Sequence, residues 1–173
     1  MPEQVWLDGE LVDAADAVVS VFDHGLTVGD GVFETMKATD GRPFAARRHL
    51  ARLRRSIELL DLQVPYDDDE LHAAVLAVLA STGLPSARVR ITVTGGGAPL
   101  GSARGEGAAT VFVAAGPLHD PGPTPAVCTS PWPRNERGAL AGIKSTSYGE
   151  NVRALALARA RGATEAIFPT TTG

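Results

Sequence analysis

The sequence predicts an α+β fold, and two observations lead to this prediction. The opening residues alternate and turn in the manner of short antiparallel strands, and two helical segments followed by two more strands come next. The 19 glycines and 12 prolines are scattered through the 173 residues, which indicates turns between elements. With 44% apolar residues and a mean hydropathy near zero, the chain is expected to fold around a buried core.

The first strands are predicted from alternation and turn residues. Val5 to Val12 alternates around an Asp8-Gly9 turn, and Val18 to Phe22 is the next strand-like segment. Gly31 to Thr39 follows and closes at Asp40-Gly41. These segments predict an antiparallel opening.

Two helices come next. From Ala46 to Leu62 the apolar residues recur at three- and four-residue spacing, with the arginines mostly on other faces, which predicts an amphipathic helix. A second helix is predicted after Pro65, because acidic residues from Asp67 favour its positive N-terminal end, and it ends near Gly83.

Two further strands complete this first region. Val89 to Thr94 and Thr110 to Ala114 have strand character, and the glycine-rich segment Gly95 to Gly107 predicts a flexible loop between them.

A domain boundary is predicted at residues 119–125, where three prolines in five residues disfavour both helix and central strand. A small N-terminal domain would then span residues 1–118, and a second would begin at 126. Residues 126–173 predict a strand from Ala126 to Ser130, a helix from about Gly149 to Arg161 and a strand from Glu165 to Phe168. So few elements bury too little surface for a complete domain, so we expect this part to be incomplete.

Composition excludes several classes of protein. A net charge of −4 with interspersed signs gives no general attraction for nucleic acid. The single cysteine, Cys128, excludes an intramolecular disulfide framework, and the four histidines lack the spacing of metal ligands. The N-terminus lacks signal-peptide features and no apolar run has membrane-spanning length. A cytoplasmic protein without a metal is therefore expected.

Lysine is scarce in this chain: Lys37 and Lys144 are the only two. A primary amine can form a Schiff base with a carbonyl group, which arginine cannot, so a rare lysine is a candidate nucleophile. The count alone favours an ordinary surface charge in a chain of skewed composition.

Three motifs, taken together and in order, resemble the class IV pyridoxal-phosphate aminotransferase family, also called fold-type IV. The first runs from Trp6 through Asp23-His24-Gly25 to Gly29-Asp30-Gly31-Val32-Phe33-Glu34-Thr35. The second is His49-Leu50-Ala51-Arg52-Leu53 with Ser56, and the third is Gly142-Ile143-Lys144-Ser145 with Tyr148. The resemblance covers nearly the whole chain and implies a small N-terminal α/β sandwich domain followed by part of a larger C-terminal domain.

The resemblance also implies a cofactor and a set of site residues. Lys144 matches the catalytic lysine that forms a Schiff base with pyridoxal 5'-phosphate and then moves protons at the substrate carbon. Arg52 matches the arginine that binds the cofactor phosphate. Tyr148 matches a tyrosine near the phenolic oxygen of the cofactor, although it could instead be an amphipathic cap on the following helix. A homodimer is implied as well, with partner loops at the site.

One departure from the family pattern concerns residues beyond Gly173. The family continues into a Glu that pairs with the pyridine nitrogen and into turns that complete the phosphate site. If 173 residues were the entire protein, we would expect weak cofactor retention and little activity.

Several positions separate the members of the family, and we expect Val28, Phe33, Lys37 and Arg104 to bind substrate. D-amino-acid aminotransferases have Tyr at Phe33, and branched-chain aminotransferases typically have Tyr at Val28 and Arg at Lys37. Glu34-Thr35 and the glycine-rich loop before Arg104-Gly105 look more like 4-amino-4-deoxychorismate lyase, which forms 4-aminobenzoate and pyruvate. A branched-chain or D-amino-acid aminotransferase is the alternative, and a truncated non-catalytic binding module is an alternative of another class.

Overall fold

The computed structural model describes residues 4–120 and 122–172. Pro121 of the predicted linker, Gly173 and the first three residues, which begin the N-terminus that lacks signal-peptide features, lie outside the described residues. The chain divides into two compact units: Met1–Leu118 with Ile143–Thr146, and His119–Gly142 with Ser147–Gly173. Lys144 therefore belongs to the first unit, although the sequence assigned it to the segment 126–173.

The first unit is built on a six-stranded antiparallel sheet. Its strands are β1 (Gln4–Leu7), β2 (Glu10–Asp13), β3 (Gly31–Thr39), β4 (Arg42–Pro43), β5 (Ser86–Thr94) and β6 (Val111–Pro117). They lie in the order β2-β1-β6-β5-β3-β4. Strands β3 and β5 pair along their whole length with Phe33 opposite Thr92, so residues that face one another on these two strands share a side of the sheet.

Three helices belong to the first unit: α1 (His24–Thr27), α2 (Ala46–Leu59) and α3 (Asp68–Thr82). α3 begins with a capping box between Asp67 and Glu70 and ends at Gly83 in the left-handed conformation. Apolar residues of α2 and α3 and of one sheet face form the core, among them Leu53, Leu71, Val78, Val32, Val89, Ile91 and Val113. The predicted α+β class is confirmed.

The predicted strand from Val18 to Phe22 is wrong. The segment contains no regular secondary structure and ends in a turn, and the side chains of Val18 and Val21 are 75% and 71% exposed. The Asp23 carboxylate accepts a hydrogen bond from the Gly25 amide and so caps α1, which turns the chain away from an extended path.

The first long helix is shorter than predicted. α2 ends at Leu59 because Asp61 adopts a left-handed conformation with φ of 52°, and the amide of Leu62 turns back to the carbonyl of Ile57. Strands β5 and β6 extend beyond their predicted limits.

The second unit contains β7 (Val127–Thr129), α4 (Gly149–Ala160) and β8 (Glu165–Ile167). The two strands pair in parallel, with Cys128 opposite Ala166, and α4 makes the crossover that parallel strands require. Ala154 and Ala158 of α4 are buried. The strand, helix and strand follow the predicted order.

Among the described residues, no helix combines the length and the apolar character needed to cross a membrane.

Candidate active site

The segment that carries Lys144 runs alongside the beginning of β3. The amide of Phe33 donates a hydrogen bond to the carbonyl of Lys144 at 3.0 Å, and the amide of Thr146 donates to the carbonyl of Gly31 at 2.8 Å. Val32 and Ser145 form an antiparallel bridge between these contacts. The backbone of Lys144 is therefore fixed by the sheet edge.

Gly31 makes this close approach possible. A Cβ atom at this position would lie 2.6 Å from the carbonyl oxygen of Val93 and 3.0 Å from Oγ1 of Thr146. The first distance is a clash with the backbone of β5 and the second is a tight contact, so glycine at this position lets β3 lie close to β5 and to Thr146.

The side chain of Lys144 lies over an aromatic ring. Its Nζ atom is 4.1 Å from the centre of the Phe33 ring, and the guanidinium carbon of Arg90 is 3.7 Å from the same centre. Nε of Arg90 also donates to Oγ1 of Thr92 at 3.1 Å. Phe33 is buried and therefore provides a fixed aromatic surface for two basic groups.

Arg52 is linked to this aromatic ring through the next residue of β3. Glu34, which follows Phe33, is completely buried and accepts two hydrogen bonds from Arg52: Nε to Oε1 at 2.5 Å and Nη2 to Oε2 at 2.8 Å. Nδ1 of His49 lies 2.7 Å from the same Oε2 atom. The Arg52 side chain is 56% exposed.

A second link joins Arg52 to Lys144. The amide of Lys144 donates to Oγ of Ser56 at 3.4 Å, and Ser56 lies one turn after Arg52 on α2. Two elements, β3 and α2, therefore position the amine-bearing residue and the guanidinium-bearing residue of the first unit.

The buried carboxylate of Glu34 is ionised. Burial acts to raise its pKa, but the hydrogen bonds from Arg52 and His49, together with their charges, outweigh that effect and lower the pKa below its ordinary value. A carboxylate with no exposed surface is stable here because both of its oxygens are paired.

Arg104 lies in the glycine-rich loop and makes four hydrogen bonds. Nε and Nη2 donate to the two carboxylate oxygens of Asp30 at 2.7 and 2.8 Å. Nη2 and Nη1 also donate to the carbonyls of Leu60 and Asp61, which follow α2. Arg104 thus fastens its loop to the end of the helix, and its predicted contact with substrate stays a prediction.

The other predicted site residues are dispersed. Lys37 is exposed on the same side of β3 as Phe33, and its Nζ atom is 5.1 Å from the centre of the Phe44 ring. Val28 is half-exposed directly after α1. Tyr148 belongs to the second unit, where it occupies the N-cap position of α4 with 38% of its surface exposed. Within the described residues no group of His, Cys, Asp or Glu could hold a metal ion.

A family model, described as amino-transferase class IV, matches residues 31–173. The chain belongs to this family. The match includes Lys144, Arg52 and the strand β3 that joins them, and it confirms the resemblance from which these residues were predicted.

Named relatives of this class IV chain are aminotransferases. It is 37% identical over 101 residues to a branched-chain-amino-acid aminotransferase of Pseudomonas aeruginosa, covering 56% of this chain and 33% of that protein. It is 35% identical over 96 residues to a D-alanine aminotransferase of Staphylococcus epidermidis, covering 56% of this chain and 34% of that protein.

A solved structure confirms the fold-type IV architecture. It is the branched-chain aminotransferase of the archaeon Thermoproteus uzoniensis with norvaline, with a TM-score of 0.88 and 30% identity. The similarity covers 100% of this chain and 61% of that one, so the chain spans about three-fifths of the length of this relative.

Enzymes of class IV depend on pyridoxal 5'-phosphate, and the side chains of the first unit fit the two ends of this molecule. The primary amine of Lys144 suits an aldehyde, and a planar guanidinium held in one orientation suits a phosphate dianion. The backbone of Lys144 is hydrogen-bonded to Phe33, and the guanidinium of Arg52 is hydrogen-bonded to Glu34. Phe33 and Glu34 are neighbours on β3.

Sequence reasoning missed several residues that organise this class IV site. Glu34, His49 and Ser56 were quoted in or beside the family motifs without a role, and Arg90 was not considered. One signal was available for Glu34: it stands between Val32 and Met36 on the apolar side of β3, where a carboxylate requires a buried partner. No comparable signal indicated Ser56, whose role depends on a segment far along the chain.

Proposed function

We propose that this protein is a pyridoxal-phosphate-dependent amino-acid aminotransferase that holds its cofactor through Lys144. The observation that supports this most strongly is that two basic side chains contact adjacent residues of β3. The amine of Lys144 lies over the ring of Phe33, and the guanidinium of Arg52 is bound by Glu34.

Each residue has a distinct role in this proposal. Nζ of Lys144 would hold the cofactor aldehyde, and once the amino group of the substrate has displaced it, the freed amine would take the proton from Cα of that substrate. Arg52 binds the phosphate, and Phe33 provides the surface over which the lysine amine lies. The cofactor, when bound, withdraws electrons from the bond that is broken at Cα. Tyr148 stays a predicted cofactor ligand, and Val28, Phe33, Lys37 and Arg104 stay predicted substrate ligands.

Aminotransfer is favoured over the lyase reaction that the sequence suggested. The relatives described above carry the names of branched-chain and D-alanine aminotransferases, and this supports the alternative of the sequence analysis. These names concern different amino acids, so the proposal covers an amino acid as donor and a 2-oxo acid as acceptor.

Chemical trapping tests the role of Lys144. The protein is mixed with pyridoxal phosphate, reduced with borohydride and digested, and the modified peptide is identified by mass spectrometry. We expect the adduct on Lys144. Lys37, the only other lysine, is an internal control, and Lys37→Arg should keep the adduct whereas Lys144→Arg should abolish it. Absence of an adduct, or equal modification of both lysines, would favour a non-catalytic binding module.

Substrate requirements test the reaction type. Aminotransfer from leucine or D-alanine requires a 2-oxo acid, and glutamate should form when 2-oxoglutarate is supplied. Formation of 4-aminobenzoate from aminodeoxychorismate without any oxo acid would instead support the lyase.

A homodimer is also proposed, through an apolar patch on the first unit. Six exposed apolar side chains lie in one stretch around α1: Val18, Val19, Val21, Phe22, Leu26 and Val28. Leu100 of the glycine-rich loop is 75% exposed, and the loop meets this stretch where the amide of Ala98 donates to the carbonyl of Phe22. A patch of this kind suits a second copy of the chain. Sedimentation of the wild type and of Leu26→Ser measures the association.

The cytoplasmic location stays a prediction.

A further inference from the structure

We infer that Glu34 is a positioning residue, whose buried carboxylate orients the guanidinium of Arg52 toward the cofactor phosphate, with His49 holding the carboxylate in place. This inference rests on the proposed function, because it assumes that Arg52 binds a phosphate. It assigns a role to two residues that the sequence analysis left without one.

The contact with Glu34 fixes the orientation of the Arg52 guanidinium. Glu34 engages one edge of the guanidinium, the edge formed by Nε and Nη2, with donor–acceptor distances of 2.5 and 2.8 Å. A guanidinium is planar, so a bidentate contact on one edge fixes the plane and the direction of the other edge, formed by Nη1 and Nη2. That second edge is directed away from Glu34, and it has the fork geometry that matches two oxygens of a phosphate.

Glu34 and Arg52 differ in their exposure to solvent. Glu34 has no exposed surface, whereas the Arg52 side chain is 56% exposed. The carboxylate is therefore the immobile member of the pair, and the arginine reaches from it toward the surface. An exposed arginine without such a partner would lose more rotamer freedom on binding an anion.

His49 contacts the Glu34 carboxylate as well. Its Nδ1 atom is 2.7 Å from Oε2 of Glu34, the same oxygen that accepts from Nη2 of Arg52. Arg52 and His49 lie three residues apart on α2, so both approach β3 from one helix face. The carboxylate is thereby held between two donors of one rigid element.

The position of Glu34 in β3 makes a purely structural role a poor explanation. Its neighbours on the same strand face are Val32 and Met36, and both are core residues. A buried ion pair at such a place is often replaceable by apolar side chains without loss of stability. The carboxylate is better explained by what it does to Arg52.

The experiment compares the affinities of pyridoxal phosphate and pyridoxal, measured by absorbance titration. These molecules share the ring and differ in the phosphate, and free pyridoxal also closes to a hemiacetal. The hemiacetal contributes equally for every variant, so a change between variants in the dissociation constant of pyridoxal divided by that of pyridoxal phosphate reports the phosphate contact. Wild type is compared with Glu34→Gln, which removes the bidentate carboxylate. Glu58→Gln on the exposed face of α2 is the control, because it removes a carboxylate from the helix that carries Arg52. We expect Glu34→Gln to lower the ratio by about tenfold and Glu58→Gln to leave it unchanged.

Two results would overturn the inference: an unchanged ratio in Glu34→Gln, or an equal loss of affinity for both molecules, which indicates a structural role. If wild type forms the Lys144 adduct but does not distinguish the two molecules, Arg52 is not the phosphate ligand and this inference fails alone. If wild type forms no adduct at all, the proposed function fails.

A measurement on the wild type covers the case in which Glu34→Gln does not fold. Arginine side-chain NMR during a titration with inorganic phosphate follows the N–H groups of Arg52, assigned with Arg52→Lys. We expect the Nη signals to shift while the Nε–H signal, bound to Glu34, stays in place. A comparable shift of Nε–H would show that Arg52 leaves Glu34 to bind phosphate, and it would overturn the inference.

Discussion

The imidazole of His24 lies between two hydrogen-bond acceptors, the closer being the carboxylate of Asp30. Nδ1 is 2.8 Å from Oδ2 of Asp30, and Nε2 is 3.0 Å from the carbonyl oxygen of Gly101. Only an imidazolium carries a proton on both nitrogens, so the buried His24 is protonated in this arrangement. The hydrogen bonds to Asp30 and Gly101 raise its pKa against the opposing effects of burial and of the positive charge of Arg104.

This contact makes the stability of the first unit depend on pH above the ordinary histidine pKa of 6.5. The folded-state pKa of His24 lies above the ordinary value of 6.5. Its stabilising contribution is therefore complete below pH 6.5 and is lost as the pH rises through the folded-state pKa. We expect wild type to lose about 1 to 2 kcal/mol of unfolding free energy over this range, as for a buried charge-assisted hydrogen bond.

Urea unfolding at a series of pH values measures this loss. A Trp132→Phe background leaves Trp6 as the only tryptophan, so that fluorescence reports the first unit. His24→Gln should be less stable at about pH 6 and should lack the decline at higher pH, whereas the control His72→Gln should retain it. A decline of equal size in His24→Gln would contradict the assignment of His24.

Arg104→Lys should loosen the glycine-rich loop. A lysine keeps the charge but cannot reproduce the bidentate contact with Asp30 or the two carbonyl contacts at the end of α2. Hydrogen exchange of residues 95–107 should become about tenfold faster, because charge-assisted bonds to the loop are lost. Arg55→Lys, on the exposed face of α2, is the control. Unchanged loop exchange combined with a higher KM for the amino substrate would instead support the predicted substrate contact of Arg104.

The sequence was sufficient for the parts of the fold that depend on local patterns. The helix α3 was predicted closely because its acidic start and its C-terminal Gly83 are local signals. The strand from Val18 to Phe22 failed because alternation reports burial, and here the apolar side chains are exposed. A surface used for contact with another chain has the same apolar pattern as a core strand.

The site could be predicted only where a motif identified a single residue. Lys144 and Arg52 were predicted from family motifs, and their site roles stay predictions; the residues that they contact depend on tertiary structure. Ser56 contacts Lys144 across 88 positions in the chain, and Arg104 contacts Asp30 across 74. Sequence periodicity cannot predict contacts between residues so far apart in the chain. The assignment of Lys144 to the first unit likewise follows from a tertiary contact, its pairing with β3.

Gly31→Ala should displace the segment that carries Lys144. The new methyl group would overlap the carbonyl of Val93 and crowd Oγ1 of Thr146, so either the sheet or the segment must move. We expect a loss of about 1 to 3 kcal/mol of unfolding free energy and weaker trapping of pyridoxal phosphate on Lys144. Gly116→Ala in β6 is a matched control, since its Cβ would have no neighbour within 4 Å. Unaltered trapping in Gly31→Ala would mean that Lys144 does not need the position it has beside β3.

Asp23→Ala should be among the most destabilising single changes in the first unit. The buried carboxylate accepts hydrogen bonds from the hydroxyls of Thr94 and Thr110 and from the amide of Gly25, each at 2.8 Å. Removing the acceptor leaves donors without a partner in the interior, which costs about 3 kcal/mol in total.

Urea unfolding followed by Trp6 fluorescence measures the effect, with the exposed Asp16→Ala as control. Thr94→Val completes a double-mutant cycle, because it removes one of the buried donors together with its demand for Asp23. The double variant should therefore be less destabilised than the sum of the two single variants. Strict additivity would show that Asp23 acts through the cap of α1 rather than through the threonines of the sheet.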